Sequence, residues 1–397
     1  MNPVSPLPIF VIFFLAFATT RLLASFFTVN LPVGRVSTID GLRGYLGFSV
    51  FLHHSCIWFF FLKTGQWALP PSHLYTHLGQ TAVALFFMIT GFLFFSKIIS
   101  AKKSPIDWTR LYISRIFRLM PLYLFAIGLT FFIVAILSDW KLHDPLTILM
   151  PDVAHWLLFT LRGSPDLNGV KQTSIIMAGV TWTLSYEWAF YWMLPLFAWL
   201  MAAARPPAGY LVMAIVTALA LKWLHLDLSL MMAFAGGMAA AFLVRHPEFC
   251  SFASKKSSSL LIAGCILTVI IIFPGAYKFL PLLLLSIAFS LIAAGNTLFG
   301  LLTNHTSRVL GEMAYSIYLL HGLFLFTLIH FLIGSEQAAN FSSIEYWTVI
   351  ALCTPLLISF SFLTFRNIEL PGMRIAPKIQ NWLQSQQSPH RVNSHRA

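Results

Sequence analysis

The chain has 397 residues, of which 58% are hydrophobic and only 10% charged, against roughly a quarter charged in soluble globular proteins. Lys and Arg number 25 and Asp and Glu 13, a net charge of +12. This composition excludes an ordinary soluble enzyme, a disordered chain and a disulfide-stapled secreted domain, and indicates an all-α polytopic membrane protein. The basic excess sorts by membrane side, so membrane lipid is the expected surrounding and no nucleic-acid partner is expected. Cys56, Cys250, Cys265 and Cys353 are scattered in or beside apolar runs. Without CxxC or Cys/His spacing they read as small buried apolar residues, and no metal site is expected.

Apolar runs of spanning length fall at 7–29, 42–62, 80–98, 117–138, 181–203, 208–224, 228–245, 258–273, 278–298, 313–334 and 345–366. That is a ten-helix unit preceded by one extra N-terminal helix. The piece 145–161 is broken by Pro151, Asp152 and His155, and is expected to be interfacial or re-entrant. If the chain enters 42–62 from the cytoplasm, 18 Lys and Arg fall on the cytoplasmic side and 6 on the other, with Arg21 inside a span. This threefold bias sets the orientation and places the C-terminus in the cytoplasm. The first twenty residues carry no positive charge and Arg35 follows the first run. That pattern suits an outside-to-inside span better than a cleaved signal. The expected organisation is an extra membrane helix in 1–34, a transmembrane domain in 35–371 and a short basic tail in 372–397. The polar tail is expected to be largely disordered. No internal repeat is visible.

Ionisable groups inside spans are costly and so mark function. They are Arg21, His53, His54, Glu187, His321 and His330. Arg43 and His54 are eleven residues apart, three turns plus about 20°, and share one helix face with Gly47 and Val50. His54 would stand about 16 Å above Arg43, near mid-membrane. That face reads as a channel wall. Asp40, three residues before Arg43, is placed to hold it. His53 points about 100° away, and its simpler role is a hydrogen bond between helices. Gly79, Gly91 and Thr90 read as close packing. Arg115 and Arg118, at i and i+3, form a guanidinium pair suited to phosphate groups. Positive-inside charge explains them equally well. The stretch Trp182, Tyr186, Trp188, Tyr191, Trp192 is either an interfacial belt or a platform for sugar rings. Glu187 among them needs a partner. It would orient a histidine, receive an acceptor hydroxyl or form a salt bridge. His321 is a supporting residue or a core histidine.

Taken together, these segments resemble one family, the acyltransferase 3 family of integral membrane acyltransferases. The resemblance rests on Asp40 to Gly44 (DGLRG), the Arg43 and His54 spacing, Phe86 to Gly91, the Arg115 and Arg118 pair, Trp182 to Glu187 (WTLSYE), Tyr315 to His321 (YSIYLLH), and Glu369 with Pro371. They occur in the family's order over about 40–371. Two departures stand out. Trp188 replaces the second acid of the usual carboxylate pair after Glu187, and helix 7–29 is additional. The extracytoplasmic esterase-like domain of some relatives is not expected here.

The resemblance implies a ten-helix transmembrane acyltransferase core that moves an acyl group, often acetyl, from cytoplasmic acyl-CoA to an acceptor reached from the other side. The acceptor is expected to be a carbohydrate of the cell envelope, such as O-antigen or its lipid-linked precursor. A small natural product is the second choice. Acyl-CoA is a co-substrate and no bound cofactor is implied. The setting is the bacterial inner membrane. His54 is the expected general base or transient acyl carrier, with Glu187 as its catalytic partner. Arg43, Arg115 and Arg118 are the expected acyl-CoA contacts. Asp40, Trp182 and His321 serve the acceptor or support the site. The rival reading, a transporter or flippase of lipid-linked sugar, shares the spans and buried polar groups. It requires discontinuous helices and repeats, and no dependence on acyl-CoA.

Overall fold

The computed structural model describes residues 2–29, 31, 36–101, 106–201, 215, 219, 222 and 226–387. Among them the chain is all-helical, with one isolated bridge, Leu167 to Val170, in place of any sheet. The fifteen α-helices are α1 Leu7–Phe26, α2 Ser37–Thr64, α3 His73–Ser100, α4 Trp108–Leu137, α5 Leu146–Leu157, α6 Trp182–Met201, α7 Leu228–Leu243, α8 Pro247–Ala253, α9 Lys256–Ile272, α10 Phe279–Ala293, α11 His305–Glu312, α12 Ala314–Phe326, α13 Ser335–Ala339, α14 Ser343–Thr364 and α15 Leu370–Gln387.

Among the described residues six helical segments are long and apolar enough to cross a membrane: α1 to α4, α12 with its π-helical continuation to Ile333, and the α14–α15 rod. The pair α7 and α8, bent by 110°, counts as a seventh if taken as one span. α9 and α10 are apolar but have only 17 and 15 residues. The chain is therefore a multi-pass membrane protein, and this length criterion yields fewer spans than the eleven expected. The run at 208–224 lies almost wholly outside the described residues. Outward faces are apolar, as lipid demands: Phe10, Phe14, Ile271 and Leu352 are each 70–71% exposed. α1 buries Ile9, Ile12, Ala16 and Thr20, a single stripe packed on α14.

Two expectations meet different fates. α5 has 12 residues, about 18 Å of helix, too short to cross. Trp156 anchors it: Tyr123 Oη donates to the Trp156 carbonyl at 2.6 Å, and Trp156 Nε1 donates to the Pro165 carbonyl at 2.9 Å. The tail, however, is not disordered from its start. Residues 370–387 form α15, whose Gly372, Ala376 and Gln380, four residues apart, make a stripe buried on α4. A Cβ at Gly372 would lie 2.7 Å from Pro121 Cγ, and Gln380 Nε2 donates to the Arg110 carbonyl at 3.2 Å. Polar composition hid an amphipathic helix. Residues 388–397 lie outside the described residues.

The site depends on one seam. Gly41, Gly44 and Gly47 follow each other at three-residue spacing on α2 and bring its backbone against α11 and α12. A Cβ on Gly41 would overlap the Leu302 carbonyl. One on Gly44 would lie 2.7 Å from Gly311 N, and one on Gly47 would lie 2.9 Å from Ala314 O. Gly311 in turn has no room for a Cβ beside the Asp40 carbonyl. The pairs Gly44–Gly311 and Gly47–Ala314 are 267 residues apart, and so are His54 and His321. The two helices run parallel, so equal rise carries this register upward to the histidines. Gly47→Leu should lower stability by about 1–3 kcal/mol through overpacking, read as a fall in melting temperature of the detergent-purified protein. An unchanged melting temperature would mean the seam tolerates a wider spacing.

Candidate active site

His54 and His321 face each other across the seam, His54 Nδ1 to His321 Nε2 at 2.9 Å, with ring centroids 5.0 Å apart. The remaining contacts decide where the protons sit. His321 Nδ1 is 3.0 Å from the Ile317 carbonyl, and His54 Nδ1 is also 3.1 Å from the Val50 carbonyl. A carbonyl only accepts, so each Nδ1 carries its hydrogen when the rings are neutral. His321 Nε2 is then an acceptor, and His54 Nδ1–H donates to it. This leaves the lone pair of His54 on Nε2. Trp67, in the connection between α2 and α3, stacks on the His54 ring at 6.3 Å and 15°. His53 turns away and bonds the Tyr75 carbonyl at 2.7 Å, the interhelical role its position suggested. Gly79 leaves room for its ring.

A cavity of about 420 Å³ is lined by residues of α2, α3, α4, α6 and α12, the histidines not among them. Arg43, Lys97, Arg115 and Arg118 line it, with Asp40 and Glu187 as its carboxylates. Five of these charged groups, drawn from three helices, are ones that the sequence singled out. Glu187 Oε2 accepts from Tyr191 Oη at 2.8 Å, and Tyr112 Oη donates to the Tyr191 carbonyl at 2.9 Å. The Arg115 guanidinium stands 5.2 Å from the Phe94 ring centre, and its Nε is buried without a hydrogen-bond partner. Arg118 Nη1 donates to Met373 Sδ on α15 at 3.2 Å. The cavity ends at Tyr318, whose hydroxyl is 2.9 Å from Thr183 Oγ1 and 3.1 Å from the Val180 carbonyl. Tyr318 is one helical turn from His321, with ring centroids 6.3 Å apart.

The geometry corrects the channel reading of the Arg43–His54 face. Arg43 borders the cavity and His54 does not. Gly47 and Val50 between them are buried, Gly47 against α12. The small residue serves helix approach rather than an opening. Contact with His54 falls to His321, while Glu187 accepts a hydrogen bond from Tyr191. Trp182 lies outside this cavity and borders a second one. Arg21 and His330 are exposed. Glu369 is fully buried and accepts from Ser316 Oγ, tying the end of α14 to α12. Sequence reasoning passed over Lys97, Tyr191, Tyr315 and Tyr318 as cavity walls, and Trp67 beside His54. Tyr315, Tyr318 and His321 recur every three residues, a shared helix face that would have revealed them.

Fold and cavity define a helical membrane protein with a charged recess and, apart from it, a pair of bonded histidines, His321 buried and His54 half-buried. The sequence profile of the acyltransferase 3 family, an acyltransferase domain, matches residues 36–366. The chain belongs to this family and is a membrane acyltransferase. No curated protein and no solved structure matches it.

The tautomers can be read directly. Nitrogen-15 NMR of histidine-labelled protein, assigned by loss of signal in His54→Gln and His321→Gln, should find both rings protonated on Nδ1. A His54 ring protonated on Nε2 would reverse the donor order.

Proposed function

We propose that this protein transfers an acyl group, acetyl in the first instance, from acyl-CoA to a hydroxyl of a cell-envelope carbohydrate. The observation that carries the reading is the His54–His321 pair, with an unshared Nε2 lone pair, one turn beyond a cavity lined by four cations. A volume of about 420 Å³ is within the range of small-ligand pockets. It suits an acyl-pantetheine arm, leaving the anionic nucleotide end at the basic mouth. Arg115 and Arg118 then meet phosphate, with Arg43 and Lys97 nearby.

In the proposed reaction His54 Nε2 takes the proton of the acceptor hydroxyl as its oxygen attacks the thioester carbonyl. The new C–O bond forms, the C–S bond breaks, and the proton passes from His54 to the departing CoA thiolate. His321 holds the His54 ring through Nδ1 and accepts hydrogen-bond density as the ring becomes positive. Glu187 and Tyr191, beside Arg115, order the polar wall of the cavity. The charge bias between loops supports uptake of acyl-CoA from the cytoplasm, a cytoplasmic C-terminus and residence in the inner membrane. We take the core as ten spans with α1 as an additional one, the shorter apolar helices included.

Membranes supplied with acyl-labelled acetyl-CoA and envelope polysaccharide should transfer label with the wild type. His54→Ala should lose about 10²–10⁴ of that rate at equal protein level. Full activity in His54→Ala would remove it from the chemistry. Arg115→Ala with Arg118→Ala should raise the apparent KM for acetyl-CoA about tenfold or more, as loss of charged hydrogen bonds requires. An unchanged KM would return both arginines to a role in topology.

A further inference from the structure

The segment between α5 and α6 enters the protein at membrane depth. Phe87, fifteenth of the 28 residues of α3, stacks with Tyr186 at 5.8 Å and meets Trp182 at 6.4 Å. α6 therefore begins level with the middle of α3. On the other side, Gly322, ninth of the 20 residues of the Ala314–Ile333 span, has no room for a Cβ beside the Met177 backbone. The loop thus reaches mid-depth next to His321. Irregular backbone persists at such depth only where protein buries it or it lines a watered cavity. Here it lines a cavity of about 560 Å³.

The segment is also conformationally costly. Of nine non-glycine residues with positive φ, five fall within it: Phe159, Thr160, Asn168, Gln172 and Ala178. Thr160, β-branched, has φ 48°, a region such residues avoid. Clustered strain of this kind is a mark of ligand-holding backbone.

We infer that this second cavity holds the carbohydrate acceptor, which rests on the acyl-transfer reading above. Its lining includes the hydroxyl residues Ser164 and Ser174, Arg162, and the indole of Trp182, 39% exposed, while the Thr160 and Ser185 hydroxyls are turned to backbone carbonyls. Hydroxyl groups match the hydrogen bonding of a sugar, and an exposed indole covers the apolar face of its ring. No carboxylate lines the cavity. The placement suits transfer. Thr183, Glu187 and Tyr191 on α6 face the basic cavity, and Trp182, Ser185 and Tyr186 face the second, so one helix is a wall of both. The loop that contributes Ser174 and Gly179 to this cavity touches α12 beside His321. Tyr186 Oη also accepts from the N–H of Asp227, whose carboxylate caps α7 by accepting from Ser229 N–H at 2.8 Å and is held below the usual range by that bond.

The test uses full-length Ser174→Cys in membranes, with Ser164→Cys as a second variant should the first fail to fold. The rate of labelling by an impermeant maleimide is followed with delipidated envelope polysaccharide from the source cells, and with dextran as control. At several times its dissociation constant the polysaccharide should slow labelling about fivefold by occupancy, and dextran should not. Unchanged labelling overturns the site, whether or not the wild type transfers label to the same polysaccharide. Protection without transfer keeps the carbohydrate site and removes the acyl-transfer reading instead.

Discussion

Backbone contact between α2 and the α11–α12 pair is the constraint on which the remainder depends. Three glycines on α2 and one on α11 leave no Cβ at the points where the backbones come closest. At that separation two parallel helices cannot slide without backbone overlap, so a register set near Asp40 persists ten residues further on. His54 and His321 meet because of contacts about 15 Å below them. The imidazole pair is thus positioned by rigid elements rather than by a mobile loop, the arrangement that holds reactive groups most closely.

The distribution of polar groups follows from the cost of burying them in a membrane. Arg43, Lys97, Arg115 and Arg118 share one recess with Asp40 and Glu187, so opposite charges offset each other's desolvation. Tyr112, Tyr191 and Tyr318 satisfy backbone and side-chain acceptors around it. The histidines lie outside that recess, bonded to each other and to helix carbonyls. The charged recess and the histidine pair are thus separate features, and Tyr318 lines the one while lying a helical turn from His321. A second recess lies against the irregular segment before α6, whose Met177 backbone packs on Gly322 beside His321.

Much of the charged recess was legible because an ionisable residue in an apolar span is conspicuous. Glu187 stands out for that reason, Arg43, Arg115 and Arg118 stand out by their helical spacing, and the seven motifs in order led to the family that the match over residues 36–366 bears out. The tyrosines were less visible, since an aromatic residue in a span is ordinary. α15 was missed because its composition is polar, although its buried positions repeat every four residues. The face holding Gly47 and Val50 was misjudged because a small residue fits an opening and a close helix contact equally well from sequence.

The sequence by itself determined the all-helical membrane class, the charge asymmetry between the two sides and the inventory of reactive groups. Hydrophobic length and the cost of charge in lipid are local properties that composition and periodicity record. Only the tertiary structure decided that His321, rather than Glu187, bonds His54, and that Glu187 belongs with Tyr191 beside Arg115. It also decided that the segment before α6 descends to the level of Phe87 and Gly322. These outcomes depend on how closely backbones approach between distant helices. That distance is set by pairs of residues such as Gly44 and Gly311, which no pattern within a single helix can relate.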